Sequence, residues 1–354
     1  MLLVEREGDT RPRIGESLAP AARRLFSDMG LLGAFEAQGH APCYGNRAVW
    51  GGDTPFETDF LRDPDGHGWH LDRARFDAWL RDQAMERGAA LAAPARVTAI
   101  SAEERRWRVA LAGRGGPRDV HAGMVIDAAG RAAPIARHLG ARRDVHDRLV
   151  CGWTHGRTEP TAIGAGFTFV QADEHGWWYS APLGENRRVL AFHTDADLPA
   201  AAIGRAPASL HAAALRRGEL ATLLHACRFA PDGPSGITAA QSAALTPSAG
   251  VVSGSGWLAT GDAAASFDPL SAQGIFNALF TGLAAAQAAD RHLSGDTDAL
   301  GEYQATLADI CAAYRDHLRL WYGQDMRWPH APFWQRRHTR QRAANSATQR
   351  EVAL

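Results

Sequence analysis

Gly256-Trp257-Leu258-Ala259-Thr260-Gly261-Asp262, followed closely by Phe267-Asp268-Pro269-Leu270-Ser271-Ala272-Gln273-Gly274-Ile275, is the stretch that decides how this chain is read. An apolar strand ends in small residues, then come Gly-Asp, a loop with Pro269 and a helix begun at Gly274. A strand–Gly–helix junction of this kind lets backbone N–H groups approach a phosphate or the edge of a planar ring. Asp262 can accept hydrogen bonds from sugar hydroxyls, and Gly274 permits close contact where a side chain would collide. The same letters also suit a plain turn whose Gly and Pro only satisfy geometry.

Working outward, the Ala-rich segment after Gly274 predicts a helix over 274–293, and a second follows over 299–322. Upstream, Met124-Val125-Ile126-Asp127-Ala128-Ala129-Gly130 reads as a buried strand running into a Gly turn. Residues 148–200 alternate like antiparallel strands, and 206–227 read as helical. Near the start, Leu2–Val4 fits a short buried parallel strand ended by acid and Gly. Ser17-Leu18-Ala19-Pro20 is expected to open a helix running to Met29. Asp72 is expected to cap a helix with Phe76, Trp79 and Leu80 on its apolar face. The pattern predicts an α/β protein in three parts. Residues 1–40, 69–147 and 254–298 form a discontinuous Rossmann-like FAD-binding domain. Residues 41–68 and 148–253 form an inserted, mixed or antiparallel β-rich substrate domain, and 299–354 a C-terminal helical segment.

Composition narrows the function. The formal net charge of −1 offers nothing to recruit nucleic acid or an anionic membrane. All 38 basic residues are Arg, so no step can use a lysine amine. The four Cys are widely spaced, which argues against a zinc site or disulfide framework and for the cytoplasm. No apolar run reaches the ~18 residues of a membrane span. No His-Glu-x-x-His, Gly-x-Ser-x-Gly or P-loop pattern occurs. Three further junctions stand out. Glu5, at the end of an early strand, suits a ribose, or is only a strand-end charge. Asp127, Gly130 and Arg131 form a small-residue turn that suits a dinucleotide, or a plain strand-to-helix connection. Arg13, Gly15, Glu16 and Ser17 stand at a helix start that favours an anion, or an ordinary cap. Trp177, Trp178 and Tyr179 are most simply sheet-face packing; an aromatic substrate wall is the sharper alternative.

Taken in order, these segments resemble the flavoprotein hydroxylase superfamily typified by para-hydroxybenzoate hydroxylase, and within it the flavin-dependent halogenase-like branch. The resemblance is carried by Val4-Glu5-Arg6, Arg13-Ile14-Gly15-Glu16-Ser17-Leu18, Asp72–Asp77, Asp127–Arg131, Gly176–Pro182 and Gly261–Ile275. It implies FAD held by Glu5 at the ribose and by Arg13 and Arg73 on the pyrophosphate side. The Asp127–Arg131 turn and Asp262 would serve the same cofactor. Pro269, Ser271, Gln273, Gly274 and Ile275 would lie beside the isoalloxazine, with Gly15, Glu16, Ser17 and Gly261 completing the contact. Such enzymes reduce FAD, react it with O₂ and form a C4a-hydroperoxide, drawing electrons from NAD(P)H or a separate flavin reductase.

Two departures shape the expectation. The family's Gly-x-Gly-x-x-Gly turn belongs upstream of Met1 and does not occur in this chain. Flavin-dependent halogenases use a lysine and a Trp-x-Trp-x-Ile-Pro signature, and both are missing here. The expected activity is therefore hydroxylation of an aromatic or indole-like group, on a small molecule or a peptide or protein substrate. Within this branch some members modify tryptophan side chains of a partner protein. The Gly176–Pro182 strand and Arg327-Trp328-Pro329…Pro332-Phe333-Trp334 look similar to that group. His70 and Tyr179 are candidate catalytic residues only because their segments are expected to face the cleft. The alternatives are a reductase or dehydrogenase on the same scaffold, similar to geranylgeranyl reductases, and an inactive truncated flavoprotein.

Overall fold

The computed structural model describes residues 1–161 and 164–339. Its largest element is a seven-stranded sheet built from Gly45–Val49, Phe56–Asp59, Leu149–Arg157, Phe167–Asp173, Gly176–Gly184, Arg187–Asp195 and Ala230–Ala239. The three long central strands run antiparallel, while Phe167–Asp173 pairs in parallel with Gly45–Val49. The sheet is thus mixed and draws strands from both β-rich segments of the sequence.

The second unit is α/β. Leu2–Val4 pairs in parallel with Ala90–Ala92, and Met124–Asp127 pairs in parallel with Ser255–Ala259. These are separate ladders, joined through a shared apolar core that includes Leu258, Ala259, Ala285 and Leu307. A three-stranded antiparallel sheet closes this core. In its middle strand, Arg106–Gly113, the alternating Trp107, Val109 and Leu111 turn inward. The helix Arg73–Glu86 starts as read: the Asp72 carboxylate accepts from Arg75 N–H at 3.2 Å, satisfying a donor the helix leaves open.

Two local expectations change. Ser17 does not cap a helix; Ser17–Leu18 is a short strand paired with His70 and Trp69, and the helix spans Ala22–Asp28. Backbone pairing satisfies Ser17 before its side chain is needed as a cap. The helical stretch 206–227 is two helices, Pro207–Ala214 and Gly218–Ala226, covering one face of the large sheet. The long helices Gly274–Leu293 and Ala299–Gln324 pack on each other as the sequence suggests. The second of these, with a helix over 332–339, covers the opposite face of the sheet through Tyr322, Phe333 and Trp334.

Candidate functional site

Parallel pairing sets Asp127 level with Ala259, so the two following turns lie side by side. There Arg131 Nε meets Asp262 Oδ2 at 3.2 Å, and Arg143 donates to the Asp262 carbonyl at 3.3 Å. Gly261 holds φ +56, a left-handed backbone that favours glycine, and its N–H donates to Thr281 Oγ1 at 3.0 Å. Asp268 caps the Pro269–Ser271 turn through Leu270 N–H. The helix Gly274–Leu293 then begins with no side-chain cap, leaving its first N–H groups without side-chain acceptors. Ile275 and Phe276 pack toward Leu18, which brings this helix start beside the Glu16–Ser17 segment.

On that segment Gly15 holds φ +107, and its carbonyl accepts from Arg73 Nη1 at 2.9 Å. Arg73 and Arg13 share Asp77, at 3.2 and 3.1 Å. Glu5 ends the first strand half-buried, with Oε1 accepting from Glu7 N–H.

These residues fit the flavin-bearing half of FAD. Two glycines hold backbone conformations that strain a side chain, a helix N-terminus is uncapped, and the Asp262 carboxylate keeps 37% of its surface exposed. Asp127 does not belong to that set. Only 1% exposed, its carboxylate accepts from Ala129, Ile135 and Ala136 N–H groups at 2.9–3.0 Å, so it holds the turn together from inside.

Strand register decides between sheet-face packing and a substrate wall for Trp177 and Trp178. Residues directly opposite in an antiparallel pair share a face, and neighbours alternate. Trp178 stands opposite Phe192 and lies under the helix pair; it is wholly buried, with Nε1 donating to Asp173. Trp177 points to the other face, but it stacks flat on His193 at 3.6 Å beneath the C-terminal helices. Both are core. Tyr179 is the member that reaches the site, donating to Glu16 Oε2 at 3.2 Å and lying 3.0 Å from Ser17 Oγ. Burial, then the Glu16 charge, pushes its hydroxyl well above the usual range.

His70 is wholly buried and bonds Thr168, which bonds Ser17. Burial, with Arg188 nearby, pushes it down to about 3. A neutral imidazole sealed from the cavity is a structural link, and the expectation of a catalytic role is set aside.

A cavity of about 420 Å³ opens between the two units, lined by Arg13, Glu16, Arg73, Arg75, His155 and Arg187 among others. His155 escaped the sequence reading. Its only signal was the alternation Trp153-Thr154-His155, which places it on the same face as Trp153 and Tyr179. Asp77, the shared anchor of Arg13 and Arg73, lay within the Asp72–Asp77 segment without a role of its own; its local signal is the i,i+4 spacing from Arg73.

No helix among the described residues is long and apolar enough to cross a membrane. The tryptophan halogenase family matches residues 57–354. A curated protein of Marinomonas mediterranea, LodB, named as an FAD-dependent oxidoreductase, is 26% identical over 96% of this chain and 90% of its own length. Among solved structures, the flavin-dependent halogenase CmlS superposes with TM-score 0.80 at 24% identity over 95% of this chain, which spans 62% of the length of CmlS. The peptidyl tryptophan dihydroxylase QhpG superposes with TM-score 0.66 at 22% identity, over 93% of this chain and 71% of its own. These two likenesses show a shared fold.

Proposed function

Since this chain belongs to the tryptophan halogenase family and is an FAD-dependent oxidoreductase, we propose that it is a monooxygenase hydroxylating an aromatic or indole-like group. The substrate class we favour is a tryptophan side chain presented by a partner protein, and the electrons come from NAD(P)H or a separate flavin reductase. The observation that carries hydroxylation over halogenation is the absence of lysine from all 354 residues. The cations around the cavity are arginines, which hold their protons at any working pH and cannot form the amine adduct a halogenating lysine would. The likeness to a peptidyl tryptophan dihydroxylase supports the substrate class.

FAD, when bound, supplies the oxygen chemistry; the residues position and shelter it. Asp262 and the uncapped helix start at Gly274 would hold the ribityl and ring edges. Arg73 and Arg13, pre-set by Asp77, would face the pyrophosphate, and Glu5 the ribose. The sheet face bearing Trp153, His155 and Tyr179 would close the substrate side and exclude water.

The test supplies the protein with FAD, a flavin reductase, NADH and labelled O₂, with indole and a tryptophan-containing peptide as substrates. Labelled oxygen in either product is the expected result. Halogenated product in the presence of bromide, or turnover without oxygen consumption, would sink the reading.

A further inference from the structure

Two buried atoms at the edge of the cavity face each other with no hydrogen-bond partner. Glu16 Oε1 and His155 Nε2 stand 3.8 Å apart, and each is sealed from solvent and unbonded. Buried polar atoms are paired in the great majority of native sites, so two orphans aimed at one another call for a reason. Their surroundings hold them there. The other Glu16 oxygen accepts from Tyr179, and the Glu16 carbonyl accepts from Leu71 N–H at 2.8 Å. His155 sits within its strand opposite Val189, its ring 5.0 Å from Trp153. Its Nδ1 makes no hydrogen bond among the described residues and is not sealed as Nε2 is. His155 itself lines the cavity.

The geometry points to His155 as the acid–base residue of this cavity and to Glu16 as its positioning partner. This rests on the monooxygenase reading above. Glu16 Oε1 takes the Nε2–H, which fixes the tautomer and leaves Nδ1 as an acceptor. Catalytic hydrogen bonds are often long in ligand-free structures and shorten when the substrate packs in. The group received is the O–H of a phenolic aromatic substrate; an indole N–H is far too weak an acid to give its proton to an imidazole. That bond breaks, Nδ1 takes the proton, and the electron pair stays on the substrate heteroatom and spreads into the ring. The ring becomes more electron-rich and no oxidant is consumed. The other groups facing His155 are the Tyr179 hydroxyl, on the same sheet face, and Arg187, which packs with it around Gly233 and is held by Asp232 at 3.2 Å. Cys151 lies within reach of the Glu16 charge, and burial keeps its thiol protonated. Arg75 and Arg187 add positive charge to the cavity wall, which favours the anionic form of the substrate, while Arg13 and Arg73 are engaged by Asp77 and would face the cofactor.

The probe is 4-nitrophenol, whose phenol and phenolate forms absorb at different wavelengths. Mixed with FAD-supplied protein below the probe's own midpoint, it is expected to bind with its phenolate fraction raised about tenfold, the size of a one-unit shift. His155→Asn, or His155→Gln if the first variant folds poorly, should abolish the rise while thermal melting and flavin retention stay unchanged. Glu16→Gln should lower it and Glu16→Asp restore part of it. Binding as the phenol, absence of binding, or an undiminished phenolate signal in both His155 variants overturns the proposal; the last assigns the effect to the arginines. The titration involves no reductant and no turnover. Failure of hydroxylation therefore leaves its outcome standing, and failure of the titration leaves hydroxylation standing.

Discussion

The Tyr322 hydroxyl donates to Asp268 Oδ2 at 2.8 Å, tying the loop before the helix Gly274–Leu293 to the C-terminal helix. Asp268 is 1% exposed, and burial, aided by the Asp147 charge and opposed by Arg337, pushes its carboxyl up to about 6 from 3.8. The folded state therefore favours the protonated acid. Its contribution to stability is fully present below about 3.8 and is lost as pH rises through about 6. Asp268→Asn should flatten stability across that window and, above it, recover up to about 3 kcal/mol, less any hydrogen bond the amide cannot reproduce. Urea unfolding over a pH series checks this; a variant keeping the wild-type slope would count against it.

Trp177 packs as core, so its loss should act on stability. Trp177→Ala removes the stack on His193 and the Nε1 hydrogen bond to Tyr322 at 3.1 Å, and should cost about 3–5 kcal/mol. A well-folded variant with only a raised substrate KM would return Trp177 to the substrate wall.

Asp127 and Asp262 should part company. Asp127→Ala strands three backbone N–H groups and should cost about 2–4 kcal/mol in folding. Asp262→Ala, at a half-exposed ion pair with Arg131, should change folding by less than about 1 kcal/mol while weakening FAD retention. Melting curves and flavin content after gel filtration distinguish the two; equal effects on flavin would remove Asp262 from the site.

Arg188 is 4% exposed, has no acidic partner among the described residues, and bonds only Ser180 Oγ and the Gly164 carbonyl. Burial lowers its pKa, the mark of a charge poorly compensated. Arg188→Met should leave stability unchanged or raise it by about 1 kcal/mol, because an apolar chain of similar length suits that position. A large loss measured by denaturation would show that the charge is balanced by something outside those contacts.

Much of the Gly261–Ile275 junction was legible because it is local chemistry. A glycine at φ +56 before Asp262, a proline turn capped by Asp268, and a helix begun at Gly274 are written within some twenty consecutive residues. Helix and strand periods likewise marked Gly274–Leu293, Ala299–Gln324 and the alternating strands. Ser17 was misread because its pairing partner, His70, lies far along the chain.

The sequence alone therefore determined the α/β class, the order of its segments, and the strand–Gly–helix junction, since turns and periodicity depend on neighbouring residues. Only the tertiary structure decided which residues line the cavity. Alternation says that Trp177 and Trp178 point opposite ways, but not which layer covers each face. The helices Pro207–Ala214 and Gly218–Ala226 bury one face, and the C-terminal helices bury most of the other. What remains is the buried meeting of Tyr179 and His155 with Glu16 beside the cavity, and that meeting depends on how a sheet and a distant loop pack together.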